Sequence, residues 1–162
     1  MRKGFTLIEL LVVIGILGVL ATTSMALLNP SGQLQKSRDS KRKADLQQIR
    51  AALELYRSDN DSYPVSDWVN SQQGDSWIAG LTPNFLKTVP KDPKNSGSPV
   101  PFSSGYTYSY YSSSFCGVAP GTSYILTTRL ENTTDSEINN IIRYGSCDWG
   151  GAYPGLYTVS SP

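Results

Sequence analysis

From Phe5 to Leu28 the chain runs for 24 residues with Glu9 as its only ionisable side chain. As a helix this stretch would extend about 36 Å at ~1.5 Å per residue, longer than the ~30 Å hydrocarbon core of a bilayer. A short basic leader, Met1-Arg2-Lys3-Gly4, precedes it and predicts a cytoplasmic N-terminus. Ser24-Met25-Ala26 has the small-x-small form of a secretory cleavage site, so an ordinary signal peptide competes with a membrane anchor. The length of the apolar run and the carboxylate inside it both weigh against the signal peptide. A charge at bilayer depth costs ~2.5–3.5 kcal/mol on insertion scales, so Glu9 is treated as functional and needs a partner.

The remaining composition narrows the chemistry. The 162 residues contain no His, which excludes Ser-His-Asp and Cys-His catalysis and His-based metal ligation. Two Cys are too few for a Cys₄ zinc site. The chain is therefore not expected to be an enzyme. The net charge of +1 hides two unlike parts. Residues 1–57 carry nine Lys/Arg and four Asp/Glu, net +5; residues 58–162 carry five and nine, net −4.

Lys3-Gly4-Phe5-Thr6-Leu7-Ile8-Glu9-Leu10-Leu11-Val12-Val13-Ile14 resembles the type IV prepilin N-terminus: a basic residue, Gly, Phe-Thr-Leu-Ile-Glu, then an apolar run. The resemblance implies that a prepilin peptidase cuts between Gly4 and Phe5 and N-methylates Phe5. Cleavage removes two positive charges and creates an α-amine with an unperturbed pKa of ~8, cationic at neutral pH. Inside a helical filament that amine needs a carboxylate. The expectation is that Glu9 pairs with the Phe5 amine of a neighbouring subunit and fixes the axial register of the stalks, because an unpaired Glu9 is costly in an apolar setting.

Gly15 and Gly18 lower helix propensity within the run, and Asn29-Pro30-Ser31-Gly32 is a stronger breaker. Pro30 disfavours helix at Asn29 and cannot donate to the helix ladder, so a break or kink is expected there. From Gln33 to about Arg57 a second helical stretch is expected, with Leu46, Ile49, Leu53 and Tyr56 forming one apolar stripe. The cluster Lys36, Arg38, Lys41, Arg42 and Lys43 reads as a solvated helix face that pairs with acidic neighbours. Anionic lipid or nucleic acid is the competing partner, and five charges on a helix do not establish a nucleic-acid site.

A second resemblance lies in Asp45 to Pro64 and in Val89-Pro90-Lys91-Asp92-Pro93. Both are similar to the major, G-type pseudopilin of type II secretion. Pseudopilins of that type usually bind calcium in an acidic, Gly-rich C-terminal loop. The matching run of aspartates is missing here, and Asp148 is a lone weak candidate, so calcium is not favoured and no cofactor is expected. Cys116 and Cys147 enclose thirty residues. Export favours a disulfide between them, and type IV pilins commonly close their C-terminal region with such a bridge.

Beyond the stalk, Gly105–Tyr111, Tyr124–Leu130 and Gly155–Val159 read as strands, the first from its alternation of aromatic and small polar residues, which predicts half-burial. A tyrosine stripe could bind carbohydrate, but core packing is the commoner outcome. Residues 66–80 read as loop with at most a short helix. Residues 135–143, with Ile138, Ile141 and Ile142, fit either a short helix or a loop whose isoleucines plug the core.

The expected fold is α+β, type IV pilin-like: a long kinked N-terminal helix packed against a small antiparallel sheet. The expected divisions are a leader (1–4), an apolar helix (5–29), an amphipathic helix (30–57) and a globular head (58–162). The expected function is a structural subunit of a type IV pilus or type II secretion pseudopilus. It would sit as a single pass in the inner membrane, among membrane lipid, before assembly into an extracytoplasmic filament. The implied partners are further copies of the chain through their N-terminal helices, the prepilin peptidase, and an inner-membrane assembly platform with its ATPase. A minor pilin acting as a tip adhesin is the alternative; a secreted enzyme behind a signal peptide is a third reading.

Overall fold

The computed structural model describes residues 4–27, 29–99, 105–138, 141–150 and 155–161. The chain divides into two compact units, residues 1–35 and 36–162.

In the first unit, α1 runs Leu7–Leu27 and α2 begins at Pro30. The Oδ1 of Asn29 accepts hydrogen bonds from Gly32 N and Ser31 Oγ, and Asn29 itself has a φ of +40°. Pro30 occupies the first helical position, where its missing N–H costs nothing. The chain thus restarts a helix at the Asn-Pro pair.

The second unit holds most of α2, which extends to Asn60. Its sheet contains β1 (Val69–Asn70), β2 (Ser109–Tyr111), β3 (Ile125–Arg129) and β6 (Leu156–Ser160) in the order β1-β2-β3-β6, with every pair antiparallel. Tyr110 stands opposite Leu126, and Leu126 opposite Val159. β4 (Ile141–Tyr144) and β5 (Cys147–Gly150) form a separate hairpin.

The apolar stripe of α2 explains where the core sits. Leu46, Ile49 and Leu53 are fully buried against Tyr108, Tyr110, Leu126 and Val159, and Tyr56 packs at the edge of the same cluster. A second cluster lies around Tyr111, Ile125, Tyr144 and Leu156. Tyr111 and Tyr144 meet edge to face at 5.3 Å. All three residues of β2 are consequently buried, where alternation predicted half-burial. The tyrosines are core, and their hydroxyls are tied down: Tyr108 donates to Asp45 Oδ2 at 2.8 Å, Tyr110 to the Pro64 carbonyl at 2.6 Å and Tyr144 to the Ser113 carbonyl at 2.9 Å.

Two stretches differ from the sequence reading. Residues 66–80 contain β1 and a 3₁₀ turn, Ser71–Gln73, capped by Asn70. β1 is two residues long and exists through its pairing with β2, so it leaves no local alternation to read. Ile141 and Ile142 lie in a strand, neither a helix nor a loop, while Ile138 packs on the main core. Their partner, β5, arrives only after the turn at Gly145 and Ser146.

Candidate assembly site

α1 is apolar on every face. From Leu7 to Ser24 it is long and apolar enough to cross a membrane, and none of that span is buried within the protein. Leu7, Ile8, Leu10 and Val19 are all at least 60% exposed. The few hydroxyls are satisfied inside the helix: Thr22 and Thr23 donate to the Val19 carbonyl, and Ser24 to that of Leu20. Such back-bonding removes the cost of carrying a hydroxyl into an apolar medium. The helix therefore needs an apolar environment from outside itself.

Gly4 and Phe5 precede the helix in exposed, non-helical conformation. Glu9 lies one turn into α1. Its Oε2 accepts hydrogen bonds from Thr6 N at 2.9 Å and Thr6 Oγ1 at 2.7 Å, and its own N–H donates to Thr6 Oγ1 at 3.3 Å. This is a capping box, with Thr6 as the cap and Glu9 three residues on. Glu9 is expected to pair with an amine; within the single chain Thr6 holds it, and the Thr-x-x-Glu spacing before an apolar run is the sequence signal for that contact. The capping carboxylate also favours the positive end of the helix dipole.

The basic cluster of α2 divides: Lys36 and Lys41 are exposed, Arg38 and Lys43 half-buried, and Arg42 is withdrawn from the solvated face. Arg42 is fully buried. Its Nε and Nη2 bond Asp92 Oδ2 and Oδ1 at 2.7 and 3.1 Å, and its Nη1 bonds Asp39 Oδ1 at 2.7 Å and Glu131 Oε1 at 2.9 Å. The Arg42 guanidinium also lies 4.9 Å from the centre of the Tyr106 ring. Glu131 receives two further cations, Arg38 through a two-pronged bond at 2.6 and 2.7 Å and Lys94 at 2.8 Å. Three cations and three carboxylates thus neutralise one another. Lys43 pairs separately with Asp135 and Glu137, each at 2.8 Å. The acidic partners expected of this cluster are present: Asp39 lies on α2 itself, the others come from distant segments, and together Asp39, Asp92 and Glu131 take Arg42 out of water.

The electrostatic balance follows from these contacts. Burial alone would lower the Arg42 pKa; hydrogen bonds to Asp92, Glu131 and Asp39 outweigh it and leave the pKa raised. The Arg38 hydrogen bonds hold the Glu131 carboxyl far below the ordinary glutamate range, against the opposing effect of burial and with further help from Lys94 and Arg42.

The remaining predicted positions lie elsewhere. Cys116 and Cys147 are joined in a disulfide, with Cα atoms 5.6 Å apart. Asp148 belongs to β5. Among the described residues, no three or more His, Cys, Asp or Glu side chains gather as a metal cage.

An apolar N-terminal helix behind a Gly-Phe junction, followed by a helix clasped to an antiparallel sheet, defines a pilin-like filament subunit. Residues 1–25 match the prokaryotic N-terminal methylation motif, and residues 29–113 match type II secretion system protein G. The chain is 33% identical over 98 residues to type II secretion system core protein G of Aeromonas hydrophila, covering 57% of this chain and 67% of that one. It is 35% identical over 105 residues to the Vibrio cholerae protein of the same name, with the same two shares. Against the Klebsiella pneumoniae protein of that name identity is 42% over 66 residues, covering 41% of this chain and 46% of the relative. No solved structure matches. The chain belongs to the type II secretion system protein G family: it is a pseudopilin, and the match ends at residue 113, before the disulfide-closed C-terminal region.

Proposed function

We propose that the chain is cut between Gly4 and Phe5 by a prepilin peptidase, methylated on Phe5, and polymerised through α1 as the structural subunit of a secretion pseudopilus. The observation that carries this reading is α1 itself: apolar on all sides, unburied within its own chain and holding Glu9 as its single ionisable group. Before assembly the helix resides in the inner membrane with its N-terminus in the cytoplasm, as the basic leader directs. A platform and ATPase in that membrane supply the work of extraction.

In the filament Glu9 pairs with the Phe5 amine of a neighbour. Within the uncut chain the carboxylate already has partners, the N–H and hydroxyl of Thr6, so it is not left bare in lipid. Cleavage leaves Thr6 in place and adds a cation that a carboxylate prefers over neutral donors. The capping box is therefore the resting state of Glu9, and the neighbour's amine its assembled state.

Glu9→Ala tests the reading. Mass spectrometry of the variant should find the leader removed and Phe5 methylated, while electron microscopy finds no filaments. Filaments at the parental abundance would overturn it. The tip-adhesin alternative leaned on the tyrosine-rich sheet, and Tyr108, Tyr110, Tyr111 and Tyr124 are buried.

A further inference from the structure

We propose that the buried Arg42 cluster is a register lock: it fixes the rotation and axial position of α2 on the head, and thereby decides which face of α2 is presented to a neighbouring subunit.

Two kinds of contact share the head-facing side of α2. From Leu46 to Leu53 they are apolar, through Leu46, Ile49, Ala52 and Leu53. From Arg38 to Asp45 they are polar, through Arg38, Asp39, Arg42, Lys43 and Asp45. Apolar contact is non-directional and tolerates small slips. Ile49 and Leu53 stand one turn apart, so part of the stripe repeats itself when the helix shifts by a turn.

The charged half does not repeat. A one-turn slip moves side chains by ~5.4 Å along the axis. In one direction Leu46 would take the place of Arg42 beside Asp92 and Glu131, leaving the buried Asp92 without its cation and drawing Asp39, carried on α2, away from the N–H groups of Glu131 and Asn132. In the other, Arg42 would enter the Leu46 position in the apolar core. Both leave an uncompensated buried charge, the outcome that low-dielectric interiors reject most strongly.

The carboxylates are themselves held in place. Asp39 accepts the N–H groups of Glu131 and Asn132 at 2.9 and 2.8 Å, and Asp92 accepts those of Lys94 and Asn95 at 2.8 and 3.3 Å. The loops at residues 92–95 and 131–132 therefore carry fixed anions to a fixed place, and Arg42 is the peg between them. Buried ion pairs contribute little net stability against an apolar replacement, and register is their best-attested use. The face left outward by this register includes Ser37, Lys41, Ala44, Gln48, Ala51 and Leu55, all exposed.

The test uses the full-length chain in membrane vesicles. The variant Arg42→Met/Asp39→Asn/Asp92→Asn/Glu131→Gln removes the buried cation and the three carboxylates around it, keeping side-chain size and one acceptor oxygen in each amide. Register is read by thiol labelling at Ala51→Cys, on the exposed face, and Ala52→Cys, 3% exposed. Both native cysteines are in the disulfide, so the introduced thiol is the only one to react. In the parental background the Ala51→Cys thiol should label at least about tenfold faster than the Ala52→Cys thiol. In the neutralised background that ratio should fall below roughly threefold, with a melting temperature within about 5 °C of the parent. An unchanged ratio overturns the proposal. So does a melting temperature lowered by more than about 10 °C, because the cluster would then be a source of stability and not of register. Filament yield is a further readout that rests on the pseudopilus reading and should drop about tenfold with the ratio. Absence of filaments even from the parent would count against that reading alone, since the labelling ratio is decided without polymerisation.

Discussion

Arg42 and Asp92, fifty residues apart in the chain, bond through two prongs at 2.7 and 3.1 Å with neither side chain exposed to solvent. A guanidinium fork matches a carboxylate in plane, which a lysine could not do. Removing one partner strands the others: Arg42→Met leaves Asp39, Asp92 and Glu131 close together without their central cation. We expect this single substitution to cost about 3–5 kcal/mol, or roughly 10 °C or more in melting temperature, by calorimetry. The variant that also neutralises Asp39, Asp92 and Glu131 should recover most of that loss.

Acid should unfold the head through the same carboxylates. Glu131 and Asp135 both have folded pKa values below their ordinary ranges, through Arg38 and Lys43 respectively. A depressed carboxylate contributes stability that is fully present above its unfolded pKa of about 4 and is lost as pH falls towards the folded value. Asp45 works in the opposite sense: burial raises its pKa, partly offset by the Tyr108 hydroxyl, so it favours folding slightly more at low pH. The melting temperature should therefore be flat above about pH 5 and fall below about pH 4. Glu131→Gln should make that acid limb shallower while lowering stability at neutral pH.

The disulfide closes a span of 31 residues. Its loss should cost about 3–4 kcal/mol in the chain-entropy model. Reductant, or Cys116→Ser with Cys147→Ser, should lower the melting temperature, whereas a chelator should leave it unchanged. A chelator-sensitive, reductant-insensitive transition would reverse the assignment and point to calcium.

Gly145 turns the β4–β5 hairpin at a φ of +59°, and a Cβ there would come within 2.5 Å of the Cys116 carbonyl oxygen and also meet Val118 Cγ2. The backbone carbonyl cannot move aside as a side chain could. Gly145→Ala should destabilise the head by at least about 1 kcal/mol, read as a lower denaturation midpoint.

How much could be read beforehand depended on the range of the interactions. The apolar run, the lone Glu9, the Leu46-Ile49-Leu53 stripe and the strands around Tyr110, Leu126 and Val159 follow from local period and composition, and the structure has those elements. Thr6 could have been found from its spacing to Glu9. β1 and the β4–β5 hairpin could not, because two- and four-residue strands are stabilised by partners and carry little pattern of their own. Ile138, Ile141 and Ile142 fit either a helical face or a loop plugging the core; Ile138 packs on the core, while Ile141 and Ile142 form a strand because a partner follows the turn at Gly145.

By itself the sequence determined the stalk. An apolar helix owes its character to side chains within a few turns of one another, and its one carboxylate is visible wherever the chain folds. The five basic residues from Lys36 to Lys43 gave only their charge. Whether they met water, lipid or carboxylates depended on where Asp92, Glu131 and Asp135 came to rest, fifty to ninety-odd residues away. Only the tertiary fold brings those anions to α2, and only burial turns a charge that would be nearly neutral for stability at the surface into one that fixes a position.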